Sequence, residues 1–215
     1  EERRQRVESD PDGKLYEQFL ATAFVAHPYR RPVLGWPSDM RYLDQEYMEQ
    51  FFKRFHAPNN TVIAIVGDVN PAATMMIIEK YFAAIPPQEH APALITEEPP
   101  QKEERRVEVF FDANPQVVIG YHKPPPPDPD DYTIDVLAEI LARGRTSRLY
   151  KLLVDKMRIA QSVYAVNGLP ASKYPNLFAL FVKPLSPHTV AEVETAIYAE
   201  LEKLKSEPVS EHELE

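Results

Sequence analysis

Apolar positions recur along this chain with two periods, and the switches between them set out the order of elements. Residues 1–8 read as a first helical segment, broken at Asp10-Pro11-Asp12-Gly13, where the fixed φ of proline meets turn-forming Asp and Gly. Leu15, Phe19, Leu20, Ala23 and Phe24 then fall at helical spacing. After Leu43 a further helix is predicted, capped by Asp44, with Tyr47, Met48, Phe51, Phe52 and Phe55 on one face and an end before Pro58. The run Thr61-Val62-Ile63-Ala64-Ile65-Val66 predicts a buried strand ending at Gly67. Asn70-Pro71 predicts a helix start, because an Asn side chain can cap it and the missing proline N–H costs nothing at its first position. Ala73, Met76, Ile77 and Tyr81 supply its apolar stripe.

From Pro86 to Glu104 no period survives, and this Pro-rich stretch is the predicted linker. Beyond it come strands Arg106–Phe111 and Gln116–Tyr121, a loop of four prolines from Pro124 to Pro127, and a helix opened by Asp128-Pro129 with Val136, Leu137, Ile140 and Leu141 inside. Gly144 stops that helix, and Thr146 can cap a shorter one containing Leu149, Leu152 and Leu153. Two strands, Ser162–Val166 and Leu177–Val182, precede a last helix from about His188 to Leu204. Short strand-to-strand connections imply antiparallel pairing, so the expected class is α+β and not a doubly wound parallel sheet. No close repeat is present, yet both halves hold an apolar strand followed by an amphipathic helix, a pattern compatible with two related domains.

Composition removes several function classes. With 44% hydrophobic and 27% charged residues, the 215-residue chain can bury a core. A net charge of -9 argues against a nucleic-acid surface or an anionic membrane as partner, since both require clustered Lys and Arg. There is no cysteine, hence no disulfide framework, thiolate nucleophile or Cys-type zinc site, and the redox compartment stays open. No apolar run reaches the roughly 20 residues of a membrane span, and the charged N-terminus is not signal-like, so any signal peptide is expected upstream. Gly67-Asp68-Val69 lacks the glycine pattern of a nucleotide loop, and Ser147 lacks a Gly-x-Ser-x-Gly setting. The proline run can be a polyproline ligand or a stiff connection, and the helix start behind it favours the connection. Periodicity and composition together give a two-part α+β protein without a function.

Several motifs carry more. His27-Pro28-Tyr29, the helix end Phe51-Phe52-Lys53-Arg54-Phe55-His56-Ala57-Pro58-Asn59-Asn60, the strand into Gly67-Asp68-Val69, and Tyr81-Phe82 before Ile85-Pro86 follow in one order with Val118-Ile119-Gly120-Tyr121, Arg143-Gly144-Arg145-Thr146-Ser147-Arg148-Leu149-Tyr150 and Ser162-Val163-Tyr164. In that order they resemble the pitrilysin, insulinase and mitochondrial-processing-peptidase group, zinc peptidases with an inverted His-x-x-Glu-His motif followed much later by a Glu. No His-x-x-Glu-His occurs in these residues, so the resemblance implies an internal piece holding no catalytic residue and at most one of three zinc ligands. It implies the remainder of a metal-binding domain at residues 1–98, a linker at 99–106, and the start of a second domain at 107–215, each domain an antiparallel sheet covered by helices.

The resemblance places the distant ligand on Glu2, just before a basic stretch, with Glu1 as the off-by-one alternative. Without it, Glu2 is an exposed helical Glu pairing with Arg6 four residues on, worth a few tenths of a kcal/mol. His27 and His56 are not expected to bind metal, since neither has a ligand partner three or four residues away. His90, His122 and His188 fall in loop-like or helix-start contexts, and His212 near the end. Family halves that complete the cleft carry an Arg and, seven residues later, a Tyr. Here those positions are Val154 and Gln161, which cannot do that work, and Arg158 and Tyr164 stand in a different register. The expected protein is therefore the zinc-bearing part of a metallopeptidase that hydrolyses peptides or unfolded segments in an enclosed chamber, with Zn2+ as cofactor and a homologous, non-zinc partner subunit supplying Arg and Tyr. The alternative is a non-catalytic peptide-binding or structural core subunit of the same fold, and a third reading is an unrelated α+β binding module.

Overall fold

Local capping chemistry starts most of the helices. In the computed structural model, which describes residues 1–89 and 91–214, Asp10 accepts from Gly13 N–H at 2.8 Å and opens α1 (Pro11–Ala23) with proline at its first position. Asp44, Asn70 and Asp128 likewise cap α3 (Gln45–Phe55), α4 (Pro71–Phe82) and α5 (Pro129–Ala142), the last two also with proline first, and α2 (Pro37–Arg41) is a short helix between them and α1. Thr189 and Glu192 form a reciprocal capping box at the start of α6 (Val190–Ser206), and α7 (Glu211–Leu214) is a single turn. The shorter helix after Gly144 is a wide π-type helix, Tyr150–Lys156. Thr146 does not cap it; Ser147 Oγ instead donates back to Gly144 O at 2.8 Å.

The chain divides into two units, Glu1–Pro32 with Glu97–Glu215, and Val33–Thr96. In the first unit, β1 (Val117–Lys123), β2 (Ala160–Leu169) and β3 (Asn176–Pro184) form an antiparallel sheet in the order β1-β3-β2. The β1 register runs from Val117 opposite Val182 to Lys123 opposite Asn176. Successive residues of a strand look to opposite faces, and β1 shows what covers each. Ile119 joins the main core with Leu141 of α5 and Val193 and Ile197 of α6. Gly120 faces α1, where a Cβ would lie 2.5 Å from the Phe19 ring, so only glycine lets the helix approach this closely. The sheet is therefore sandwiched, with α5 and α6 on one face and α1 on the other. A buried Lys123–Asp131 ion pair ties the end of β1 to α5, and Asn167 of β2 donates to Asp135 at 2.8 Å alongside it.

The second unit holds α2, α3 and α4. Among its described residues Ala57 alone is buried, and the apolar faces predicted for α3 and α4 are exposed, including Phe52 at 63% and Met76 at 67%. Asn59 and Gln88 exchange two hydrogen bonds of 3.0 Å that close this unit's loop.

The class is α+β with an antiparallel sheet covered by helices, as the pattern predicts. Three predicted strands form within a few residues of their expected limits. Two do not: segments 61–66 and 106–111 have no ladder partner among the described residues. An apolar run or an alternation favours an extended backbone, whereas a strand also needs a neighbour, which neither encodes, and residues 61–66, expected to be buried, are exposed. His122 is a further correction, since it lies on β1 and not in a loop, with Nε2 3.0 Å from Ala23 O.

Candidate functional site

The N-terminal segment is a helical turn widening to π geometry over Arg4–Glu8, and its neighbouring side chains go opposite ways. Arg3 turns inward, 7% exposed, and its Nη2 donates to Glu17 of α1 at 2.6 Å, while Lys14 donates to the other oxygen at 2.9 Å. Burial pushes the Glu17 carboxyl up, but the Arg3 and Lys14 bonds outweigh it and hold it below the usual carboxylate range. Glu2 turns outward, its side chain 60% exposed, with Arg6 Nε at 3.3 Å. Glu1 is exposed and accepts from Gln5 at 3.2 Å. A Cβ on Gly13 would meet Arg6 O at 1.9 Å, so glycine brings α1 directly against the backbone of the turn that carries Glu2.

Beyond α1, His27 begins a 3-10 turn, Pro28–Arg30, by accepting the Tyr29 N–H on Nδ1 at 3.2 Å. It is buried among Phe24, Tyr29 and Tyr174, and burial holds its imidazole below the ordinary value against the opposing charge of Glu98. Glu98 accepts the N–H groups of Val25, Ala26 and His27 at 2.8–2.9 Å. Those bonds, outweighing burial, keep its carboxyl ionised to lower pH than usual. His56 ends α3 stacked on Phe52 at 4.9 Å, and His188 Nδ1 lies 3.6 Å from Glu192. His90 lies outside the described residues, as does the side chain of His212. Among the described residues no group of three or more His, Asp or Glu could hold a metal ion. Glu2 is thus a solvent-reachable carboxylate beside Arg6, and one carboxylate is insufficient as a metal site.

Val154 packs against the main core, and Gln161 is exposed at the register shift in β2 between Ala160 and Ser162. Arg158 sits in the left-handed region with φ 54°, and Tyr164 stacks on Phe181 at 4.8 Å.

Residues 42–215 match the family model described as the Peptidase M16 inactive domain. The chain belongs to the M16 peptidase family. The zinc protease PqqE of Helicobacter pylori is 30% identical over 220 residues, an alignment spanning 100% of this chain and 49% of that protein. The crystal structure of a protease from Helicobacter pylori superposes with a TM-score of 0.92 at 28% identity, over 99% of this chain and 52% of that one. The peptidase M16 inactive domain of Pseudomonas fluorescens has the same fold, with a TM-score of 0.79 at 19% identity over 98% of this chain and 50% of that one. This M16 chain therefore spans about half the length of the relatives it matches.

Sequence pattern alone misses the Arg3–Glu17–Lys14 cluster, although a signal exists. Glu17 lies three residues before Leu20 and seven before Phe24, within the buried stripe of α1, where a carboxylate needs a cation.

Proposed function

We propose that this chain is the part of a zinc metallopeptidase that follows the His-x-x-Glu-His helix, with Glu2 as the third ligand. On this reading residues 1–98 complete the metal-binding domain, 99–106 link, and 107–215 begin the cleft-completing domain. The observation that carries it is the likeness, over the whole of this chain, to about half of a relative named a zinc protease, together with an exposed Glu2 carboxylate held outward beside Arg6. Zinc held there by two imidazoles and Glu2 would polarise a peptide carbonyl and acidify a water. This chain's own contribution is positional: Arg3 locked on Glu17 and Gly13 under Arg6 fix the turn from which Glu2 projects. Peptides or unfolded segments are the substrate class.

Val154 and Gln161 support a division of labour, since neither can hold a substrate carbonyl as Arg and Tyr do. A homologous, non-zinc subunit would supply those groups, and adding it to the longer polypeptide should raise kcat/KM. Full activity of that polypeptide with no second protein would instead mean that the Val154 and Gln161 register is wrong or that Arg158 and Tyr164 have taken over the role. The description of the matched domain as inactive favours a second reading, a non-catalytic core subunit. In the longer polypeptide, Glu2→Gln should weaken zinc binding by more than about 100-fold and abolish peptide hydrolysis without unfolding, measured by elemental analysis, a peptide assay and circular dichroism. Full zinc occupancy and turnover in that variant would return Glu2 to an exposed helical Glu, and an adjoining motif without its two His would establish the core-subunit reading.

A further inference from the structure

Among the described residues β1 is an edge strand, paired with β3 on one side only. Segment 106–111 runs extended nearby, and no hydrogen bond is made by the backbone of Val107 to Phe110 among the described residues. Its orientation is nevertheless fixed. Arg105 donates to Ala23 O at the end of α1 at 2.9 Å, whereas Arg106 grips Glu194 of α6 with two guanidinium nitrogens. Since α1 and α6 cover opposite faces of the sheet, successive residues of this segment already point to the two faces as a strand in the sheet plane would. A cavity of about 1080 Å³ is lined jointly by this segment and by β1, with Phe19 of α1 and Tyr198 of α6 also contributing. Two extended backbones with unpaired edges thus border one empty space.

We infer that this space is a slot for one further strand, filled by an extended segment of the longer polypeptide, so that segment 106–111 becomes the outer strand of an enlarged sheet. The inference rests on the reading of this chain as part of a longer protein, whose relatives have about as many residues again outside the matched half. A strand in the slot is a central strand with helices over both faces, so it must be an uninterrupted apolar run without Pro. Leu15, Phe19 and Val118 supply apolar wall. The inserted strand would also bury Phe110, now 91% exposed.

The chain has no cysteine, so a designed pair gives an unambiguous readout. Were segment 106–111 to fold directly onto β1 over Asp112–Pro115, Phe111 would oppose Gln116 and Val109 would oppose Val118. With a strand between them, Val109 and Val118 stand about 10 Å apart, beyond disulfide reach. In the longer polypeptide, the Val109→Cys/Val118→Cys pair should stay reduced under oxidation. Amides of Val107 to Phe111 should exchange about 100-fold or more slowly than in the 215-residue chain. Disulfide formation, equal exchange in both proteins, or protection that grows with protein concentration would overturn the inference, the last by assigning the slot to a second copy. Neither readout requires zinc or turnover, so a protein with a defunct zinc motif would still pass.

Discussion

Two glycines with different neighbours give opposite expectations for the same substitution. A methyl at Gly13 meets a backbone carbonyl that has nowhere to go, so Gly13→Ala should cost about 3 kcal/mol or more and loosen the turn that carries Glu2. A methyl at Gly120 meets the outer end of the half-buried Phe19 ring, which can tilt, and Gly120→Ala should cost about 1 kcal/mol. Chemical denaturation of the two variants checks the order, and an equal loss would show that Phe19 is as immovable as the Arg6 carbonyl. Glu2 itself was legible only through resemblance: in isolation it is one more helical carboxylate beside an arginine, and its exposure gives the same picture. Its inward neighbours are the opposite case, because Arg3 and Glu17 declare themselves by burial that no periodicity rule assigns to charged residues.

At the scale of elements, the legible features are those decided within four residues. The Asp10, Asp44, Asn70 and Asp128 caps hold because the side chain and the N–H it accepts lie on one turn. Segments 61–66 and 106–111 carry strand patterns as clear as that of β3, yet pairing depends on a neighbour that a local pattern does not name. Thr146 fits a cap by composition, yet it is the Ser147 hydroxyl that turns back onto the left-handed Gly144. The capping box of α6 offers a test: Thr189→Ala removes the acceptor for Glu192 N–H and should cost about 1 kcal/mol, lowering the melting temperature by about 2–4 °C. An unchanged melting curve would mean that the packing of Val193 and Ile197 alone fixes the helix start.

For the whole molecule, acid acts in two steps of the same sign. His27 titrates below its ordinary 6.5 in the fold, so the unfolded chain binds the proton more readily, and stability falls as pH drops below 6.5. Glu17, Glu98 and Glu194 titrate below 4.5, and Glu213, bonded to Arg148, is lowered to about 2. Their contribution is complete above 4.5 and is lost as pH falls through the folded values. Melting temperatures across this range should decline gently below 6.5 and steeply below 4.5. His27→Asn keeps a cap acceptor for Tyr29 N–H without a titrating ring, and should abolish the first decline alone. A persisting first decline would place its origin in another group. No helix among the described residues is long and apolar enough to cross a membrane, so these measurements need no lipid correction for such a helix.

The Glu98 clamp fixes where an excursion begins and ends. Because its carboxylate holds Val25, Ala26 and His27, the chain re-enters the sheet-bearing unit beside the place where it left. Everything between Pro32 and Glu97 is then, for that unit, a loop with pinned ends, and cutting it out need not stretch the scaffold. Exchanging it for a connection roughly ten times shorter would lower the cost of ring closure by about 2 kcal/mol. The sheet with α1 across its back could in this way serve as a free-standing module, onto whose open edge other strands are grafted one at a time.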